Sequence, residues 1–150
     1  MKNIFNPENN KELMERLQKL SPDSQKQWGK MTVSQMLLHC QKPLEVAEQK
    51  LVVKRGFISF LFGKMMKTKL INKGESFTQN LPTAKEFIID TEVDFEKEKQ
   101  TLKNMLEDYG LRGESVIVMA THPFFGNLSP EEWGILFYKH LDHHFTQFSV

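Results

Sequence analysis

An all-α fold is what this sequence predicts: a four-helix bundle with a long connection between helices two and three that carries a short extra helix. Three observations predict it. Four segments repeat their apolar residues at helical spacing, capping and stop residues bracket them, and the second and third connections are long. At 150 residues, 39% hydrophobic and 26% charged, the chain suits one domain spanning residues 1–150.

The first helix follows Asn9-Asn10, either of which can cap it. Leu13, Leu17 and Leu20 then recur at i, i+4 and i+7 until Ser21-Pro22 stops the run. The second starts at Thr32, whose spacing to Gln35 matches a capping box, and carries Val33, Met36, Leu37, Cys40, Leu44 and Ala47 on one broad side. Pro43 lies inside it and cannot donate to the His39 carbonyl four residues back, which predicts a kink. Next, FISFLFGKMMKTKLI (57–71) mixes large apolar side chains with Lys64, Lys67 and Lys69. A short helix packed over the bundle is the plain reading of that stretch; a membrane-surface helix or the face of a homodimer are the sharper ones. Asn80, Pro82 and Thr83 mark an irregular crossover that returns the chain to the bundle.

The third helix runs from about Asp94 to Tyr109, with Phe95, Leu102, Leu106 and Tyr109 at helical spacing, and Gly110 is expected to end it. SVIVMATHPFFGN then reads as extended backbone leading into a turn at Gly126-Asn127. Ser129-Pro130-Glu131-Glu132 opens the fourth helix with an N-cap Ser, a Pro at the first helical position and an acidic first turn. That helix continues to about Gln147.

Composition narrows the function. Twenty Lys and Arg against nineteen Asp and Glu give a formal charge of +1, so no field favours nucleic acid as the partner. A single Cys excludes an intramolecular disulfide framework and fits a reducing compartment. The start, MKNIFNPENNKELMERL, lacks the apolar run of a secretory signal, and no stretch is long and apolar enough to span a bilayer. The expectation is a soluble cytoplasmic protein with a small-molecule partner and no membrane. Twelve Phe and eight Met imply an adaptable, ring-rich interior.

The five histidines carry the chemistry. On a helix, His140 and His144 lie about 40° apart, and Trp133, Phe137 and Phe148 share their sector, so the pair points inward. That i, i+4 spacing lets two imidazoles reach one ion. His143 sits at the edge of the sector, and Asp142 lies opposite and is expected to be solvated. His39, off the centre of the apolar stripe of helix two, suits the wall of an inter-helix pocket; such a residue can equally be a satisfied core histidine. With His39, His140 and His144 as ligands, a divalent ion would keep at least one position open, as catalytic sites do. His122, before Pro123, faces the pocket mouth as a proton shuttle or caps the bundle. Gln147, one turn beyond His144, is placed to hydrogen-bond a ligand or a metal-bound water. Cys40 reads as a small core hydrophobe.

Two stretches, WGKMTVSQMLLHCQKPL (28–44) and THPFFGNLSPEEWGILFYKHLDHHFTQF (121–148), with a weaker echo in NLPTAKEF (80–87), resemble the DinB/YfiT-like metalloenzyme superfamily. The resemblance is nearest to one of its domain-of-unknown-function branches. It implies a four-helix bundle in which His39, His140 and His144 bind a divalent ion, zinc or nickel. Some members of that superfamily are similar to transferases that join a low-molecular-weight thiol to an electrophile; the expectation for this chain is a metal-dependent transferase or hydrolase acting on a small electrophile, with His122 or Gln147 as second-shell or proton-transfer groups. No residue pattern here ties the chain to a particular thiol. A non-catalytic bundle that binds a metal or small ligand, and a purely structural domain, are the rival readings.

Overall fold

The computed structural model describes every residue except Arg55, and the backbone alone of residues 57–60. The described residues are mostly helical, with five α-helices and one small antiparallel two-stranded sheet among them. The helices are α1 (Pro7–Lys19), α2 (Val33–Ala47), α3 (Phe57–Lys67), α4 (Phe95–Arg112) and α5 (Pro130–Gln147). The strands are β1 (Thr121–His122) and β2 (Gly126–Asn127). No described helix is long and apolar enough to cross a membrane.

The two best-signalled starts form as read. Thr32 accepts from the Gln35 amide while the Gln35 side chain accepts from Thr32, closing a capping box on α2. Ser129 and Glu132 do the same on α5, with Pro130 at its first position. Three boundaries differ. The cap of α1 is Asn6, whose side chain accepts from Glu8 N and Asn9 N ahead of Pro7, so the helix begins earlier than Asn9-Asn10. Asn10 is instead buried, donating through Nδ2 to Ile4 O and Leu106 O. Helix α4 runs through Gly110, where a Cβ would press on the Asn10 side chain at 3.3 Å, and stops at Gly113 (φ 57°).

The third difference is the connection before α5. Residues Gly113–Val116 coil into a 3-10 turn, and the chain then makes a hairpin with Thr121 opposite Asn127 and His122 opposite Gly126. Gly126-Asn127 is thus the returning strand and not the turn. The turn is Pro123-Phe124-Phe125, closed by His122 Nδ1, which accepts from Phe124 N at 2.9 Å and Phe125 N at 3.2 Å.

Helix α2 packs against α4 and α5, and α1 packs against the same two. Between them lie Leu13 and Leu17 of α1, Met36, Leu37 and Leu44 of α2, Leu102, Leu106 and Tyr109 of α4, and Trp133, Phe137 and Phe145 of α5, all buried. Each such side chain contributes about 1.5–3 kcal/mol when removed from water. Cys40 is buried among them, as read, with its thiol 3.5 Å from Met36 Sδ. Burial pushes the Cys40 thiol far up.

Helix α3 is the extra helix of the second connection. It meets the hairpin through Gly63, where a side chain would collide with the Phe124 carbonyl, and through Lys67, which donates to Asn127 O and Glu132. A π turn (Thr68–Asn72) follows and buries Leu70 and Ile71. The side chains of residues 57–60, part of the stretch considered for a membrane or dimer face, lie outside the described residues. From Lys73 to Asp94 the chain is irregular apart from the 3-10 turn Lys85–Phe87, which lays Phe87 beside α2.

Candidate metal centre

The capping box of α2 fixes where that helix begins, and seven residues in, His39 turns toward α5. The apolar face of α5 brings His140 and His144 to meet it. The three rings converge: centroids of His39 and His140 are 5.0 Å apart, His39 and His144 4.7 Å, and His140 and His144 4.7 Å. One nitrogen from each lies within 4.8 Å of the others, so the trio could hold a metal ion.

Hydrogen bonds on the outer sides of the rings decide which nitrogens face inward. His39 Nδ1 is 2.9 Å from Phe87 O. A carbonyl only accepts, so Nδ1 carries the hydrogen and Nε2 keeps its lone pair. Gln147 Nε2 donates to Trp28 O at 2.7 Å, which orients the amide and turns Gln147 Oε1 toward His144 Nδ1 at 2.9 Å. His144 therefore also holds its proton outward and presents Nε2 to the centre. His39 Nε2 and His140 Nε2 then stand 3.1 Å apart. Two imidazole nitrogens about 2.05 Å from one ion are about 2.9–3.4 Å apart for right-angle to tetrahedral geometry, so the observed spacing fits a shared cation.

Electrostatics point the same way. His39 is 4% exposed and His144 7%. Burial, with the neighbouring His143, holds His39 below the ordinary imidazole range against the opposing pull of the Phe87 carbonyl. Burial and the adjacent His39 push His144 down to about 3. His140 is lowered too, by burial first and then by His144 and His39. All three rings are neutral at neutral pH, so no imidazolium charge opposes a cation; the 3.1 Å contact is also that of a hydrogen bond in which His140 Nε2–H donates to His39 Nε2, a proton that an ion would displace.

The chain around Gln147 is built for close approach. Gly29 has φ 80°, and a Cβ there would lie 2.5 Å from Gln147 Nε2. Gln27 N donates to Gln147 O at 2.8 Å, so residues 27–29 clasp the end of α5. Gln147 is thus occupied at both ends of its amide, orienting His144.

The remaining candidates lie outside the trio. His122 is buried in the hairpin, its ring 4.8 Å from Trp133 and 4.7 Å from Phe125, with Nδ1 committed to the turn; burial pushes it down to about 3. His143 is half-buried beside Trp28 (5.6 Å) and Phe77 (5.9 Å), and 5.0 Å from His144. Asp142, expected to be solvated, keeps 43% of its side chain exposed and is also ion-paired: Arg16 Nη1 lies 2.6 Å from its carboxylate and anchors α1 to α5. Residue patterns missed the supporting carbonyls of Phe87 and Trp28 and the ring of Phe77. Phe87 ends the NLPTAKEF stretch and Trp28 begins the WGKMT stretch, so two of the three lay at the margins of motifs already singled out.

Over residues 3–150 the chain matches a family model described as "Protein of unknown function (DUF1569)". Searches of curated proteins and of solved structures found no match.

Proposed function

We propose that this chain, which belongs to the DUF1569 family, is a divalent-metal-dependent enzyme of the DinB/YfiT-like kind. In this reading the single domain is a four-helix bundle of α1, α2, α4 and α5, and the three-His centre joins a low-molecular-weight thiol to, or hydrolyses, a small electrophile. The observation that carries it is the pair of His39 and His140 nitrogens 3.1 Å apart, with His39 and His144 both locked to present Nε2.

His39, His140 and His144 would hold the ion as neutral ligands, a donor set that suits zinc and nickel. Such an ion supplies Lewis-acid charge that favours the deprotonated form of a water or thiol at neutral pH. The chain's own residues do the rest. Phe87 O and Gln147 fix the ring orientations, and the Phe-rich walls keep bulk water from the centre. Of the two candidates for second-shell or proton-transfer work, Gln147 takes the orienting role. His122 is assigned to shaping the hairpin, because its Nδ1 is spent there and its ring stays neutral. Cys40 is buried with a raised thiol pKa, so any thiol that reacts comes from outside the chain. A cytoplasmic setting would keep such a thiol reduced.

The test is turnover by zinc- or nickel-loaded protein with a small thiol and a chromogenic electrophile, with and without chelator. The expected result is chelator-sensitive conjugation or hydrolysis that is lost in His39→Ala and His144→Ala proteins that remain folded. Metal uptake without turnover of any electrophile would leave the non-catalytic binding bundle as the better reading.

A further inference from the structure

Helix α3 carries a surface that the metal centre does not use. The side of the helix that meets the protein is fixed. Gly63 packs against the Phe124 carbonyl, and Lys67 donates to Asn127 O and Glu132. The π turn that follows buries Leu70 and Ile71 and ties the end of the helix to the core. On the helical period, Leu61 and Met65 each stand about 160° around from Gly63. Lys64 lies about 60° beyond Leu61 on one flank, and Phe62 about 60° beyond Met65 on the other. Leu61, Phe62 and Met65 are 53%, 47% and 49% exposed. Scattered exposed apolar residues are ordinary; three large ones along one outward ridge are not.

Charge is segregated onto the same segment. Between Glu48 and Glu75 lie seven of the chain's twenty Lys and Arg and no acid, so the other thirteen share the chain with all nineteen acids. Lys50 and Lys67 are paired with Glu48 and Glu132. Lys54, Lys64, Lys69 and Lys73 are exposed and form no ion pair among the described residues. The overall +1 therefore conceals a cationic, apolar segment on an otherwise acidic protein.

We propose that α3 is a membrane-surface helix that rests on an anionic lipid bilayer, with Leu61, Phe62 and Met65 at the acyl boundary and the free lysines among the headgroups. Hydrocarbon takes the ridge and anionic headgroups take the lysines, the pairing that holds an interfacial helix. Other occupants satisfy half of it. A second copy docked ridge to ridge would set cations against cations, a neutral bilayer leaves the lysines unmatched, and nucleic acid has no place for the apolar side chains. Lying on a bilayer needs no spanning run, which agrees with the absence of a crossing helix among the described residues. The proposal is independent of the metal reading.

The experiment mixes the full chain with vesicles of phosphatidylcholine alone, or with about one-third phosphatidylglycerol, at low and high salt, and reads co-sedimentation. The expected result is binding to the anionic vesicles alone, weakened by salt. Lys64→Gln and Lys69→Gln should each weaken it about fivefold, and Leu61→Ser with Met65→Ser at least about tenfold. All four positions are exposed, so the variants should keep the parent's circular dichroism. An environment-sensitive fluorophore on Leu61→Cys locates the helix, because Cys40 is buried and stays unlabelled. Its emission should shift to the blue with anionic vesicles, whereas the same label on Leu111→Cys of α4, 87% exposed, should not move. Failure to bind anionic vesicles overturns the proposal, as does equal binding to both kinds of vesicle or binding unchanged by loss of Leu61 and Met65. Vesicle-free protein that is dimeric, and that Leu61→Ser with Met65→Ser makes monomeric, assigns the ridge to a second copy and also overturns it.

Discussion

Replacing Gln147 by Leu removes the link between Trp28 and His144 while keeping the site's volume. Gln147 is 3% exposed, and both halves of its amide are in use: Oε1 accepts from His144 Nδ1 at 2.9 Å, and Nε2 donates to Trp28 O at 2.7 Å. Leu strands the Trp28 carbonyl and the His144 N–H away from water, at about 1–3 kcal/mol each, offset in part by the more apolar side chain. The ring of His144 loses the acceptor that fixes its tautomer, so zinc affinity should fall about 10- to 100-fold. Gln147→Glu separates the two effects. It keeps an acceptor for His144 while placing a second oxygen against Trp28 O, so it should lose stability with a smaller loss of affinity. Competition with a fluorescent zinc chelator reads affinity, and urea unfolding reads stability. A folded Gln147→Leu protein that binds zinc as tightly as the unmodified chain would refute the assignment of Gln147 as an orienting residue.

Acid should destabilise the metal-free protein. His122 and His144 are held neutral down to about 3 in the folded chain, whereas unfolded imidazoles take up protons below about 6.5. The unfolded state therefore binds more protons between those limits, so stability is full above pH 6.5 and falls as pH drops toward 3. At pH 5.5 each of the two residues costs about 1.4 kcal/mol, with His39 and His140 adding in the same direction. Urea midpoints at pH 7.5 and 5.5 measure this, and equal midpoints would contradict it. Gly29→Ala should cost about 1–2 kcal/mol for the left-handed backbone and should also weaken metal binding, because its Cβ meets Gln147 Nε2. A thermal melt and the same zinc competition test it; an unchanged pair of values would show that the close approach is unimportant.

The sequence made some of this architecture legible and hid the rest for identifiable reasons. Thr32-x-x-Gln35 and Ser129-Pro130 place the starts of α2 and α5 because a cap is a local hydrogen-bond arrangement written in adjacent residue types. The inward pairing of His140 with His144 follows from the helical period, and the participation of His39 from its place on the opposing helix. The Asn6-Pro7-Glu8 cap carries the same local signature as Ser129-Pro130-Glu131 and was readable, but Asn9-Asn10 competed with it. Gly110 reads as a stop and is instead a point of close packing against Asn10, which only the tertiary structure decides. The supports of the centre were hidden more deeply. Phe87 and Trp28 act through backbone carbonyls, which every residue has, so no side-chain pattern announces them. Asp142 is partly exposed, as the helical wheel has it, but the wheel does not show Arg16 arriving from another helix to pair with it.

Metal stoichiometry tests the core of this account most directly. Purified chain equilibrated with zinc or nickel, freed of excess ion and analysed for metal should carry one ion per chain. His39→Ala, His140→Ala and His144→Ala should each lose most of it while His143→Ala retains it. A folded protein that holds no ion under these conditions, or one whose ion survives loss of any member of the trio, would contradict it.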